Sequence, residues 1–406
     1  MHVLLKRRNA TSLPGPPALP GDSLAQPSVY DPEFLRRQAR WIRDELDPQI
    51  ARDGRDALHS DHILRIDEFL RRLLIANISL KDLRYSRVHL AIKDIAGLAT
   101  RWPDRLIERG EALQKAWESS YGPLEHIGIL LYEPGGRLHG VCKPEDLSKE
   151  KLTVMWLKSP TVKFSPLVAR RFGDLGFTPG DWWINPLFAF RAGIIDSSES
   201  EGRIVADASG AYAVFMTGSD EIAGTSPEAF TYRAKDDDKG RYRLTAGTPE
   251  SRQPVRIIRS YSLRSLCTPK AGLRYDGLHK VTSWSIVTEP KTKSVTYDIS
   301  FKRLPSERNM DEVLRRPWTE EIEDYKEATR LRHLARDKLN KAKKNEMLLA
   351  VARPGDGAVD VFEDETAETP FQSSFTDKVP VDLGSSRTPL ADATPRHDSA
   401  LPAEVE

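Results

Sequence analysis

Four runs rich in β-branched and aromatic residues, Ala211–Met216, Pro254–Arg259, His279–Thr288 and Ser294–Leu304, are each bounded by Gly or Pro turn signals. Such runs fit a pleated, half-buried surface. Several short strands at this spacing, between 165 and 305, point to a barrel-like sheet rather than a parallel one. Upstream the period changes. Asp31-Pro32-Glu33 reads as a helix start, an N-cap followed by Pro at the first helical position. Ser60 or Asp61 then caps a segment with Ile63, Ile66, Leu70, Leu73 and Leu74 at helical spacing. Val88, Ile92, Ile95, Ala99 and Trp102 form a further stripe ending at Trp102-Pro103, and Leu106, Leu113 and Trp117 another that begins near Asp104. The expected fold class is therefore α+β, an α-helical bundle over 31–121 followed by a β-barrel over 165–305.

Other segments complete the organisation. Residues 1–30 carry Pro14, Pro16, Pro17, Pro20 and Pro27 and read as a disordered leader. Residues 122–164 connect the two halves; Ile127–Tyr132 with Glu133-Pro134-Gly135-Gly136 behind it reads as a strand and turn. A charged helix is expected from Glu320 to about Leu349, within 306–350, and 351–406 reads as a disordered acidic tail.

Composition narrows the function classes. The chain has 406 residues, 39% hydrophobic and 30% charged, and no apolar run approaches the ~20 residues that span a bilayer. Its opening apolar stretch is too short for a secretory h-region, and the charges follow it. The only cysteines, Cys142 and Cys267, exclude a disulfide scaffold or a Cys-rich zinc module such as a RING, and fit a reducing, intracellular compartment. The net charge of +1 hides an asymmetry: 354–406 holds twelve Asp/Glu against three Lys/Arg, whereas 251–304 holds eleven Lys/Arg against three acids. A basic block within a folded segment suits a polyanion, with the acidic tail as a possible internal competitor, and equally suits a solvated face.

Signals for catalysis are weak. No His-Glu-x-x-His, Gly-x-Ser-x-Gly or phosphate loop ending in Gly-Lys-Ser/Thr occurs. His59 and His62, three apart beside Asp61, read as a surface pair rather than metal ligands, and Asp236-Asp237-Asp238-Lys239-Gly240 as a polar turn rather than a calcium loop. Cys267 has no nearby His to activate it. The chain is expected to be no enzyme and to need no cofactor, metal or small-molecule substrate.

The informative stretch is Pro254-Val-Arg-Ile-Ile-Arg-Ser260, Gly272-Leu-Arg-Tyr-Asp-Gly-Leu-His-Lys-Val281 with Trp284, and Val295–Leu304. With Gly180-Asp181-Trp182, Gly210-Ala211-Tyr212, Phe230-Thr231-Tyr232 and Pro317-Trp318-Thr319 it resembles the SRA-YDG (SET- and RING-associated) family, whose hallmark is here Tyr275-Asp276-Gly277. The resemblance covers close to 40% of the chain. It implies a PUA-like twisted β-barrel, duplex DNA as partner, nuclear localisation, and a link to DNA methylation and heterochromatin. Many family members flip 5-methylcytosine into a pocket, where the base needs aromatic stacking and a carboxylate for its amino group.

That pocket is only partly kept. Aligned without gaps from Gly210, the second family tyrosine is Tyr232, while the first falls on Asp220, the base-reading Asp on Ala223 and the Thr on Arg233. A small register shift makes Asp220 or Glu221 the candidate carboxylate. Only 22 residues separate Tyr232 from Val255, with Asp236–Asp238 among them, and Ser197-Ser198-Glu199-Ser200-Glu201 is acidic where a DNA-inserting loop is expected. The candidate DNA-binding residues are Arg256 and Arg259, which face opposite sides of a strand, with Arg274, Lys280 and Lys270 around Tyr-Asp-Gly and Lys291 and Lys293 on a hairpin tip. Tyr275, Asp276 and Gly277 themselves read as structural, a tight turn with the tyrosine packed inward.

Leu74-Ile-Ala-Asn-Ile-Ser79, Leu83, Ser86-Arg87-Val88 and Trp117 are similar to the N-terminal domain of transcription elongation factor S-II. That resemblance implies a bundle that docks other proteins. Two functions follow: a nuclear, chromatin-associated DNA-binding protein, with or without reading of modified cytosine by base flipping, or a protein-interaction scaffold with a degenerate, non-binding barrel.

Overall fold

The computed structural model describes residues 31–351, apart from 98, 100, 160–164, 249 and 289–293. The leader, the acidic tail, Lys291 and Lys293 lie outside the described residues.

Asp31 caps α1 (Pro32–Trp41) by accepting from the amides of Glu33 and Phe34. A π-helical stretch, Ile42–Leu46, joins it to α2 (Asp47–Asp53). α3 (Ser60–Ile75) is capped by His59, one residue earlier than its spacing suggests. α4 (Leu80–Ser86), α5 (Val88–Ala96) and α6 (Asp104–Tyr121) follow. Their apolar stripes share one core, with Leu35, Ile42, Leu70, Ile92, Leu106 and Trp117 at its centre. α5 stops at Gly97 rather than running on to Trp102. Trp102 is buried from outside the helix, its indole donating to Asp47 (3.0 Å).

Ile127–Tyr132 forms no strand. The chain doubles back: the Leu138 amide donates to the Leu131 carbonyl (2.8 Å), and a Cβ on Gly136 would lie 2.4 Å from that oxygen. So close an approach leaves no room for a strand partner. α7 (Lys149–Lys158), unmarked in the sequence, packs Leu152 and Trp156 onto the sheet with α8 (Pro186–Ala192).

The strands are β1 (Trp182–Trp183), β2 (Arg203–Ala206), β3 (Ala211–Met216), β4 (Glu221–Ser226), β5 (Ala229–Ala234), β6 (Val255–Ser260), β7 (Leu273–Thr288) and β8 (Val295–Arg303). They form one sheet in the order β2-β3-β6-β7-β8-β5-β4, with β1 beside β7, parallel at β3–β6 and antiparallel elsewhere. The expected barrel is thus an open sheet. Ile204 in β2 and Tyr232 in β5, near opposite ends of the path, share a cluster with Ile257 and Phe301, so the sheet rolls around this core without closing. At the β2 edge the Ile204 amide donates to the Asp238 carboxylate (2.6 Å), not to a further strand. A second cluster, with Tyr212, Phe215, Ile258 and Tyr275, covers the other face.

After α9 (Arg241–Thr245) and α10 (Met310–Leu314) comes the long α11 (Thr319–Val351). Its first turn is held by the helical half. The Asp44 carboxylate accepts from the Thr319 amide (2.8 Å) and hydroxyl. Arg36 (3.0 Å) and Arg40 (2.5 Å) bind Glu320, Arg43 (2.7 Å) binds Glu323, and Arg87 (2.5 Å) and Arg137 (2.8 Å) bind Asp324. Burial pushes the Glu320 carboxyl up, but Arg40 and Arg36 outweigh it and hold it far below the usual range. Among the described residues no helix is long and apolar enough to cross a membrane.

Candidate nucleic-acid interface

Tyr275-Asp276-Gly277 lies within β7 and is not a turn. Ile257 faces Gly277 and Ile258 faces Tyr275, leaving Asp276 as the extra residue of a β-bulge. Gly277 takes φ +102°, a conformation costly for any residue with a Cβ, which is why Asp-Gly serves here as it does in turns. The tyrosine packs inward, its ring wholly buried.

The bulge aims the Asp276 carboxylate at two guanidiniums. Arg259 donates to it at 2.5 Å, and Arg274 at 2.6 and 3.1 Å. Arg259 also donates to Glu221 (3.0 Å), whose other oxygen accepts from Ser265 (2.8 Å), and Arg274 donates to the Cys267 and Arg316 carbonyls. Burial alone would raise the Asp276 carboxyl; Arg274 and Arg259 reverse this and hold it below its ordinary value. On the other face Arg256 donates to the carbonyls of Ala169, Arg171 and Gly173. With no carboxylate bonded to it, burial pushes its guanidinium down to about 10. Arg256 and Arg259 do face opposite sides, but both are 0% exposed and Arg274 is 1% exposed. These three have no surface to offer a phosphate. Their expected role at DNA gives way to a structural one, because their hydrogen-bonding capacity is turned inward.

The four base-pocket candidates do not converge on an open slot. Tyr232 is 0% exposed, packed by Phe301, so neither ring face is available to a base. Its hydroxyl is buried without a partner, and burial raises the phenol well above its ordinary value. Asp220 closes a turn by accepting the Thr217 amide (2.9 Å), and Glu221 is committed to Arg259. Arg233 points outward, paired to Asp298 through two bonds of 2.8 Å. Asp238 and Asp236 serve as turn residues, to Gly240 and Arg241. His59 and His62 sit with ring centres 6.1 Å apart, and no group of ligands suited to a metal occurs among the described residues.

The outer face of β7, β8 and β5 remains. Lys280 and Lys302 stand directly opposite each other across the β7–β8 ladder. Lys280 donates to the Glu250 carbonyl (3.2 Å) and, after hydrogen bonds from that residue's own backbone and from Thr248, helps to lower the Glu250 carboxyl; neither lysine is in a salt bridge among the described residues. Beside them lie the hydroxyls of Thr282, which donates to the Ser300 carbonyl, and of Thr231 and Ser300, 3.3 Å apart. Lys270 is exposed just before the start of β7, ten residues before Lys280 in sequence. Sequence reasoning missed Lys302; the buried Phe301 and Arg303 on either side, read at period two, place it outward. Further along the hairpin Trp284, partly exposed, stacks on Tyr297 at 5.8 Å.

Neither a protein-family model nor a curated protein matches the chain. Among solved structures it is similar to a modification-dependent TagI restriction endonuclease, with 22% identity and TM-score 0.29 over 34% of this chain and 53% of that one. It is also similar to the SUVH5 SRA in complex with hemimethylated CG DNA, with 19% identity and TM-score 0.28 over 34% and 96% of the two chains. Arabidopsis thaliana SUVH6 in complex with SAM gives 19% identity and TM-score 0.31 over 44% and 35%. The chain thus spans about half the length of the endonuclease it matches.

Proposed function

We propose that this chain is a non-catalytic duplex-DNA-binding protein of chromatin, working in the nucleus, that grips the phosphate backbone through the outer face of β5, β7 and β8. The observation that carries the reading is the Lys280–Lys302 cross-strand pair. Like charges directly opposite on a sheet are destabilising, and neither lysine has a salt bridge among the described residues to offset the repulsion, so a fold serving only its own stability gains nothing from keeping them. A polyanion relieves the repulsion. The adjacent Thr231, Thr282 and Ser300 hydroxyls are of the type that joins lysines at phosphate oxygens. The buried ring of Tyr232 favours backbone binding without a flipped base.

The test is fluorescence anisotropy of the whole chain on unmethylated, hemimethylated and fully methylated duplexes at several salt concentrations. Equal, salt-sensitive binding to all three is expected. Lys280→Gln with Lys302→Gln should flatten the salt slope by about 2, at roughly 0.9 for each phosphate no longer neutralised, with the melting temperature unchanged. A methyl preference above about tenfold overturns the backbone-only reading, and an unchanged slope overturns the face. A protein-docking role is favoured by a different observation: Leu74, Ile75 and Leu80 are exposed side by side in sequence where α3 gives way to α4. It is the reading that stands if no duplex binds at low salt.

A further inference from the structure

α11 changes character along its length. Thr319–Thr329 carries five Asp/Glu and one Lys; Glu320, Glu323 and Asp324 are taken up by the arginines that hold its first turns, and Glu327 by Arg330. Arg330–Met347 carries seven Lys/Arg and two Asp/Glu. Every residue from Asp337 to Met347 is exposed, so this end of the helix leaves the fold and stands in solvent. Eleven residues at the α-helical rise make an arm roughly 16 Å long. It needs no packing of its own to stay helical, because Arg, Leu, Ala and Lys are strong formers and the docked turns supply the nucleus.

A helix that is merely solvated interleaves opposite charges at three- and four-residue spacing. Here Arg332 and Arg336, and Lys338, Lys341 and Lys344, place like charges at those spacings, and past the Glu327–Arg330 pair Asp337 and Glu346 are too few to interleave them. None of Lys338, Lys341, Lys343 and Lys344 is in an ion pair among the described residues. The helix dipole rewards cations only in the last turn and does not account for a basic run that begins at Arg330. Leu334, Leu339 and Met347 are exposed but spread around the helix, so it has no apolar stripe for a membrane surface or a hydrophobic groove. The cations instead form two rows. At 100° per residue, Lys338, Lys341 and Lys344 lie roughly opposite Lys343 and the half-buried Arg336, while Arg332, further back, is desolvated against the fold. A helix charged on two sides matches a major groove, whose phosphate walls flank it on both.

We infer that the distal half of α11 is a phosphate-binding arm for duplex DNA, separate from the Lys280–Lys302 face. The inference rests on the duplex-binding reading, and one experiment tells their failures apart. Binding of a short labelled duplex across a salt series is compared for the whole chain, for Lys338→Gln/Lys341→Gln/Lys343→Gln/Lys344→Gln, and for Lys280→Gln/Lys302→Gln, with helicity followed by circular dichroism. Gln keeps the helix and removes the charge. The arm variant should lose at least tenfold in affinity and about 3 to 4 from the salt slope, with helicity unchanged. An arm variant that binds like the original while the sheet variant weakens sinks the arm and leaves the sheet reading intact. The converse sinks the sheet reading and keeps the arm, and no binding by the original chain sinks both.

Discussion

The sheet carries two populations of cation with opposite fates. Arg256, Arg259 and Arg274 are buried and donate to carbonyls and carboxylates of their own chain, whereas Lys280 and Lys302 stand outside without a salt bridge among the described residues. The division follows the side chains. A guanidinium has five donors in a fixed planar fork and a weakly held hydration shell, so it can enter a core where acceptors converge; an ammonium is a strongly hydrated point charge that stays at the surface unless paired. A basic stretch of sequence therefore overstates the basic surface of the fold. Of the +8 carried by 251–304, a large part is neutralised or consumed inside.

The comparison breaks most visibly at Asp276. Replacing it by Ala leaves two buried guanidiniums facing each other, and the loss should reach about 3–5 kcal/mol in chemical denaturation. A loss below about 1 kcal/mol would mean that water screens the pair, and that Arg259 and Arg274 are less committed than their geometry implies. His279 sharpens it next. It is buried beside Arg259, and burial with that neighbouring charge pushes its imidazole down to about 3. The folded state then holds fewer protons than the unfolded state below pH about 6.5. Stability from this group is present above that pH and is lost as pH falls toward about 3. His279→Gln should flatten the fall in melting temperature between roughly pH 6.5 and 4; an identical profile in the variant would place the proton elsewhere. The smallest effect is expected at Tyr232. Its hydroxyl is buried with no partner to lose, so Tyr232→Phe should raise stability slightly, by about 1 kcal/mol, and leave duplex affinity as it was. A selective loss of methylated duplex in that variant would reopen the pocket.

Three of the four β-rich runs, Ala211–Met216, Pro254–Arg259 and Ser294–Leu304, are strands within a residue or so of where their composition puts them, and His279–Thr288 is the second part of β7. The first two are buried on both faces; β3 reads as a continuous apolar run, whereas β6 is interrupted by Arg256 and Arg259. β2, β4 and β5 are less visible, being short and mixed in polarity. The helix start at Asp31 was legible because a cap is a local device. The Asp276 bulge was not, since Asp-Gly serves both turns and bulges and only the partner strand decides between them. The fate of Arg259 was hidden for the same reason: its second carboxylate, Glu221, lies 38 residues away in sequence. Asp220 and Glu221 were singled out as candidate base-reading carboxylates, but their partners are an amide and an arginine of the same chain.

The clamp on the start of α11 bears on how this molecule can be dissected. Composition draws a boundary near Tyr121, and a fragment starting beyond it would keep the whole sheet. It would also uncover Glu320 and Glu323 and remove one partner of Asp324, while the Thr319 amide lost the Asp44 carboxylate. Such a fragment would present an anionic patch that the intact chain never shows, on the same helix whose far end is basic. Weak duplex binding by the fragment would then report the cut rather than the protein.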